Sequence, residues 1–322
     1  MTEHQTEPQY RCIGAGFCGT VWAQGNGPAI KREDGGPERS LPNDYVMHQR
    51  ALDSIERLNG IKAGRDSGSL ANRYQVHIPK CHRFLTANDP WWNDNIRMFP
   101  NNYEPCNAII SDHIPPFPEE VRKLLVKRYC HPKLQEEILG SVANKDCLIR
   151  PYLGRRRTQR TEVKRTPRFS AFSLRNYPLH EDQMEDLGVP LHDMQTYASM
   201  MGEALATLHW LGEIDGNDIE FVLAPSPGQG NIKNVLGEHS LWMLDFDLCR
   251  SMSMDIDGVR QAVSAYWRND PFYPRPMAKM WKDFRSQYLE SSEQIIRACC
   301  IIGPEERLCL ARKFIDLVEE EK

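Results

Sequence analysis

The hydrophobic pattern changes period several times along the chain, and each change predicts an element. Residues Tyr10 to Lys31 read as strand, glycine turn and strand, with a short hairpin at Gly25-Asn26-Gly27-Pro28. From Asn43 to Leu58 the spacing becomes helical: Tyr45, Val46, Ala51, Leu52, Ile55 and Leu58 recur on one face, and Asn43 or Asp44 can cap the start. Val76 to Phe84 and Ala108 to Ile110 predict strands. Ile114-Pro115-Pro116-Phe117-Pro118 predicts a stiff, extended connector, because a residue before proline avoids the helical region. Beyond it, helices are predicted at Glu119 to Tyr129, Met194 to Leu211, Val259 to Tyr266, Met277 to Leu289, Glu293 to Cys300 and Pro304 to Glu319. A strand is expected at Leu241 to Leu244 and a Gly/Pro-rich loop at Pro225 to Gly230. Tyr197, Met200, Met201, Ala204, Leu205 and Leu208 share one face of the Met194 helix. This order predicts an α+β protein of two lobes: a small strand-rich one over residues 1–113 and a larger helical one over residues 114–322, with the connector as hinge.

Composition narrows the function classes without choosing one. The chain has 322 residues, 40% hydrophobic and 26% charged, which fits a globular protein. Its net charge of -4 gives no global attraction to nucleic acid or membrane, so any such binding needs a local patch. Residues Met1 to Tyr10 are polar, and no run approaches the roughly 20 apolar residues of a membrane span. No signal peptide and no membrane partner are therefore expected, and a cytoplasmic location follows. The ten cysteines form no CxxC pair. Structural zinc is not expected, since such sites usually show two short-spaced ligand pairs.

Two stretches far apart carry candidate chemistry. Gly14, Gly16 and Gly19 form a GxGxxG run, followed by Val21 and, ten residues later, by Lys31 in Ala29-Ile30-Lys31. Glycines let backbone amides approach phosphates, and a lysine adds a point charge. Asp44 on the following helix is a carboxylate that can hold Lys31. Far downstream, Leu208-His209 leads to Asp215, and Glu220 follows five residues after that aspartate, ahead of the apolar Phe221-Val222-Leu223. Asp245-Phe246-Asp247 closes the set. Together these resemble the active site of a protein kinase, with an asparagine replaced by Glu220 and a glycine by Asp247. The expected fold is accordingly protein-kinase-like.

Both departures add negative charge. Asp215, Asp218, Glu220, Asp245 and Asp247 would crowd one cleft, where they must share protons, bind a metal or face a cation. A divalent metal with a nucleotide is one option. A guanidinium is another, because it pairs with carboxylates in bidentate fashion. Residues Arg150 to Arg168 form a basic segment with Arg155, Arg156, Arg157, Arg160, Lys164 and Arg165, set against a single acid, Glu162.

The block from Phe172 to His180, with Asp182-Gln183-Met184, Ala204-Leu205-Ala206, Leu208-His209-Trp210, Asp215, Asn217-Asp218, Glu220 to Leu223 and Trp242 to Asp247, resembles a fungal family long catalogued without a function, whose members are often labelled zinc-finger proteins. It includes arginine-containing cyclodipeptide synthases, and the likeness runs from about Arg11 to Tyr273. The resemblance implies a synthase that takes arginine and a second amino acid from aminoacyl-tRNAs and joins them as a cyclic dipeptide for secondary metabolism. Its partners would be arginyl-tRNA and a second aminoacyl-tRNA, with no cofactor required. The resemblance also ties activity to an acidic motif, matched here by Asn217-Asp218-Ile219-Glu220 with Asp215 just before it; Asn217 stands where an aspartate is expected.

On that reading Asp215, Asp218 and Glu220 are catalytic, Asn217, Asp245 and Asp247 bind substrate, Gly14, Gly16, Gly19 and Lys31 hold a nucleotide or the tRNA end, and the basic segment tracks the tRNA backbone. Ser173 and Cys249 are candidate acyl carriers, and direct transfer stays open beside them. Trp91, Trp92 and Trp210 are candidates to stack a base. The alternatives are a small-molecule phosphotransferase using ATP and Mg²⁺, and a binding module on a pseudokinase-type scaffold.

Overall fold

The structure, a computed structural model, describes residues 9–36, 40–63, 75–157, 172–225, 231–299 and 303–321. It is a mixed α/β protein, rich in strands toward the N-terminus and in helices toward the C-terminus. Strands β1 (Arg11–Ala15), β2 (Thr20–Ala23), β3 (Ala29–Arg32), β4 (Cys81–Leu85) and β5 (Ala108–Ser111) form an antiparallel sheet in the order β1-β2-β3-β5-β4. Helix α1 (Leu41–Ala63) lies between β3 and β4 in the chain, and the amide of Asn43 is capped by the Ser40 hydroxyl at 3.2 Å.

The face that α1 buries differs from the sequence expectation. Met47, His48, Ala51, Ser54 and Leu58 point inward with Asp44, while Val46 is 52% exposed. Asp44 and His48 are tolerated inside because each has a partner: Lys31 for the carboxylate, and the Pro79 carbonyl, 2.7 Å from Nε2, for the imidazole. The predicted Val76–Phe84 strand is also interrupted. His77 makes an isolated bridge to Trp242, and β4 starts only after Pro79. Helix α2 (Trp91–Asn95) is not anticipated by the spacing. Trp92 is buried beneath the Arg32 guanidinium, 5.0 Å from the ring centroid, so it serves the core rather than a base.

The connector is extended but not free. Phe117 is buried in the main core and its amide donates to the Cys147 carbonyl at 2.8 Å. Helices α3 (Glu119–Tyr129) and α4 (Gln135–Gly140) lead to a second five-stranded sheet, unforeseen as such, in the order β7-β6-β8-β10-β9. Its strands are β6 (Ile149–Tyr152), β7 (Tyr177–His180), β8 (Glu220–Ala224), β9 (Ile232–Asn234) and β10 (Gly237–Leu244), with β6 and β7 parallel. After β7 come α5 (Glu181–Leu187) and α6 (Leu191–Trp210), and after β10 come α7 (Ile256–Arg268), α8 (Trp281–Cys299) and α9 (Pro304–Glu320).

Helix α6 is the axis of this half, and its predicted face is buried throughout. Two helices expected within residues 277–300 are one, α8. Ser291 and Ser292 do not break it, because both are buried and the Ser292 hydroxyl donates back to the Tyr288 carbonyl at 2.6 Å. Met277 is outside it, at φ 70°. Among the described residues no helix is long and apolar enough to cross a membrane.

The two sheets are tied at several points. Arg11 makes a two-pronged pair with Asp146, and an Arg175 nitrogen donates to the Cys12 carbonyl at 3.1 Å. Helix α1 is tied in as well: Asn43 Nδ2 donates to the carbonyls of Asp247 and Cys249 at 2.8 and 3.0 Å.

Candidate active site

Lys31 projects from the middle of the first sheet, where β3 pairs with both β2 and β5. Its Nζ lies 2.6 Å from Asp44 Oδ2 and 2.7 Å from Asp245 Oδ1. Burial alone would strip the ammonium of its proton, but the charges of Asp245 and Asp44 outweigh it and hold the pKa well above the ordinary 10.5. Asp245 is aimed by its backbone, which turns into the left-handed region at φ 66° just past β10. The second oxygen of Asp44 accepts from the Phe246 amide at 3.1 Å, and Phe246 is buried against the His48 ring. The sequence pairing of Lys31 with Asp44 is thus present, and Asp245 joins it.

The glycine loop is braced from below. Gly19 has φ 150°, and a Cβ there would fall 1.9 Å from the Arg32 carbonyl oxygen, so only glycine fits. Asp34 accepts from the Thr20 amide at 2.7 Å and from its hydroxyl, and the Gly36 amide donates to the Phe17 carbonyl at 2.8 Å. The Gly16 amide is spent on the Gly19 carbonyl at 2.9 Å. A Cβ on Gly14 would touch Val21 at 3.3 Å, whereas one on Gly16 would meet nothing. Two amides of the loop, those of Gly16 and Thr20, are therefore already engaged. Phe17 stands 80% exposed at its tip.

The acidic loop separates into supports and facing groups. Asp215 is buried; its Oδ1 accepts from the amides of Asn217 at 3.1 Å and Arg250 at 2.9 Å, and its Oδ2 from Gln261 at 2.8 Å. Asp215, expected as a catalytic carboxylate, therefore has both oxygens hydrogen-bonded within the fold. Asn217 gives its side-chain amide to the Leu248 carbonyl at 3.1 Å, so it too braces the loop instead of meeting substrate. Asp247 is 3% exposed, which removes it from the surface a substrate would touch. Asp218 is half-buried at φ 62°, held by its amide donating to Asn269 Oδ1 at 2.6 Å.

Glu220 is the first residue of β8, opposite Leu244 of β10, and so sits on a strand end rather than on a loop. Both of its oxygens lie 2.5 Å from one Nη of Arg150. Burial pushes its carboxyl up; Arg150 pulls it down, Asp245 pushes it up, and the result is about 7. Arg150 also reaches Asp270 at 3.7 Å, and the Tyr152 hydroxyl donates to the same Asp270 oxygen at 2.5 Å. Arg150, Tyr152 and Asp270 escaped sequence reading as site residues, because they lie 70 and 118 residues from their partners.

The basic segment is only partly described; Arg160, Lys164 and Arg165 lie outside the described residues. Arg150 belongs to β6 and to the Glu220 pair. Arg156 answers Glu181 at 2.8 Å and Glu185 at 2.6 Å, and the Arg157 amide donates to Asp182 at 2.6 Å. Arg155, Arg156 and Arg157 are exposed. Of the two possible acyl carriers, Cys249 is completely buried with its thiol pushed well above the ordinary range by that burial, and exposed Ser173 lies 3.4 Å from Asn144. Neither is paired with a base in these contacts.

A family model described as zinc finger protein matches residues 241–299, well under half of the chain. No curated protein matches it. The matched segment holds two cysteines, Cys249 and Cys299, and no histidine, fewer than the four nitrogen or sulfur ligands of a structural zinc site. Among the described residues no group of three or more histidines, cysteines and acids is arranged to hold a metal ion.

Proposed function

We propose that this chain is an aminoacyl-tRNA-dependent synthase that joins arginine to a second amino acid as a diketopiperazine. The observation that carries the reading is the placement of Glu220 at the start of β8, opposite Leu244 and held by Arg150, where burial lifts its carboxyl toward about 7. The α-amine of an aminoacyl ester must shed a proton to attack, and a base serves best when its pKa lies near the working pH. In the first step the amine nitrogen attacks the ester carbonyl of the other aminoacyl-tRNA. The carbonyl–oxygen ester bond breaks and one tRNA leaves; the proton passes through Glu220 to the departing ribose oxygen. In the second step the remaining free amine attacks its own ester, closes the six-membered ring and releases the other tRNA. No redox partner or nucleotide is consumed. The likeness of the Phe172–Asp247 block to arginine-containing cyclodipeptide synthases supports the substrate class.

The architecture that supports it is protein-kinase-like: strand order β1-β2-β3-β5-β4, α1 between β3 and β4, and a β3 lysine paired to a carboxylate of α1. That same lysine geometry favours the second reading, an ATP- and Mg²⁺-dependent phosphotransferase, in which Lys31 would hold phosphates and Asp245 a metal. One feature weighs against phosphoryl transfer: the Asp215 oxygens are taken up by the loop it supports.

Mass spectrometry of an expression-host extract tests the choice. A new arginine-containing diketopiperazine, absent with Glu220→Gln, is expected. A soluble, folded protein that yields none while hydrolysing ATP with Mg²⁺ would overturn the synthase reading.

A further inference from the structure

We propose that Arg150 is the positioning residue that fixes the Glu220 carboxylate, and that Asp270, held by Tyr152, is a counterweight drawing Arg150 the other way. The proposal rests on the base role assigned to Glu220 above. Arg150 and Tyr152 are two apart on β6 and therefore share one face of the sheet. From that face Arg150 grips both oxygens of Glu220 through a single nitrogen, while its other terminal nitrogen is 3.7 Å from Asp270. The hydroxyl of Tyr152 secures that same Asp270 oxygen at 2.5 Å. Arg150 Nε is buried with no hydrogen-bond partner, so the guanidinium is steered by its two ends rather than by its stem. A planar fork caught between two carboxylates has its position decided by their balance.

Four groups from four other parts of the fold act on Glu220: Arg150 from β6, Asp245 past β10, Lys31 from β3, and Asp270 past α7. Asp270 acts twice: its charge opposes ionisation of Glu220 directly, and it competes for the guanidinium that favours ionisation. Asp270→Asn should therefore ease ionisation of Glu220, and Arg150→Gln should hinder it. A residue that merely filled space would not give opposite signs.

The experiment is a side-chain carboxyl NMR titration of the full chain labelled with ¹³C-glutamate. The Glu220 resonance is assigned by its loss in Glu220→Gln. Relative to the unsubstituted protein, the midpoint should fall by about one pH unit in Asp270→Asn and rise by about one in Arg150→Gln. The acid limb of the pH profile for diketopiperazine formation should follow both shifts, and Arg150→Lys, which keeps the charge but not the fork, should lower kcat more than it raises KM. Midpoints that stay put, or move the same way in Asp270→Asn and Arg150→Gln, would overturn the proposal. If Arg150→Gln does not fold, Asp270→Asn and Arg150→Lys decide by the same criteria. The titration needs no product, so a chain that makes no diketopiperazine yet shows opposed shifts would refute the synthase reading and leave the Arg150 assignment standing.

Discussion

Two neighbouring clusters, each of one cation and two carboxylates, are built differently. Lys31 sits almost evenly between Asp44 and Asp245, at 2.6 and 2.7 Å. Arg150 is lopsided, at 2.5 Å from Glu220 and 3.7 Å from Asp270. An ammonium is a compact point charge that two acids can share; a guanidinium fork commits to the acid that matches its plane. The even cluster shares one positive charge between two acids and joins residues 214 apart in the chain, the geometry of a clasp. The uneven one leaves a carboxyl near pH 7 at a strand end.

The sharpest way to break the comparison is Glu220→Gln. Product formation should fall by about 10²–10⁴-fold, the usual share of a general base, in a single-turnover assay with charged tRNAs. Lys31→Met should act mainly on folding instead: it strands the nearly buried Asp44 and should cost about 3–5 kcal/mol in a urea titration. A neutral outcome there would remove the clasp. pH separates the clusters further. Glu220 is raised from 4.5 to about 7, so the folded state holds its proton more tightly than the unfolded chain does. The contribution is full below pH 4.5 and lost as the pH climbs toward about 7, a slope that Glu220→Gln should erase. Lys31 is raised above 10.5, so its contribution is intact through neutrality and lost only as the pH rises past 10.5 through its folded value. Gly19→Ala, which forces a Cβ onto the Arg32 carbonyl, should cost about 1–3 kcal/mol and leave the Glu220 titration unmoved. The smallest effect is expected from Arg156→Ala. Its pair with half-buried Glu185 should be worth less than about 1 kcal/mol, its pair with buried Glu181 somewhat more, and loss of one phosphate contact should reduce the salt slope of tRNA binding by no more than about one.

What the sequence made legible was short in range. The α6 face follows from a helical repeat, and Lys31 with Asp44 follows from a strand and a helix adjacent in the chain. The buried face of α1 was misread because polar Asp44 and His48 go inward while Val46 stays out, a choice made by partners on other elements. Strands β6 and β7 were missed because each is four residues long and contains a proline, Pro151 or Pro178, which argues against a strand on local grounds. The candidate site divides the same way. Glu220 was visible by its spacing from Asp215, but Arg150 looked like one more cation in a basic run. Asp215 looked like a base because Arg250 and Gln261, which occupy its oxygens, enter from 35 and 46 residues away.

The braced glycine loop has a consequence for recognition. With Asp34 fastening Thr20 and Gly36 fastening Phe17, the loop is ordered before anything arrives. A ligand that fits it loses little affinity to ordering entropy, and one that needs it reshaped must first break those bonds. Under the proposed reading, such a rim would favour a narrow range of guests over a broad one.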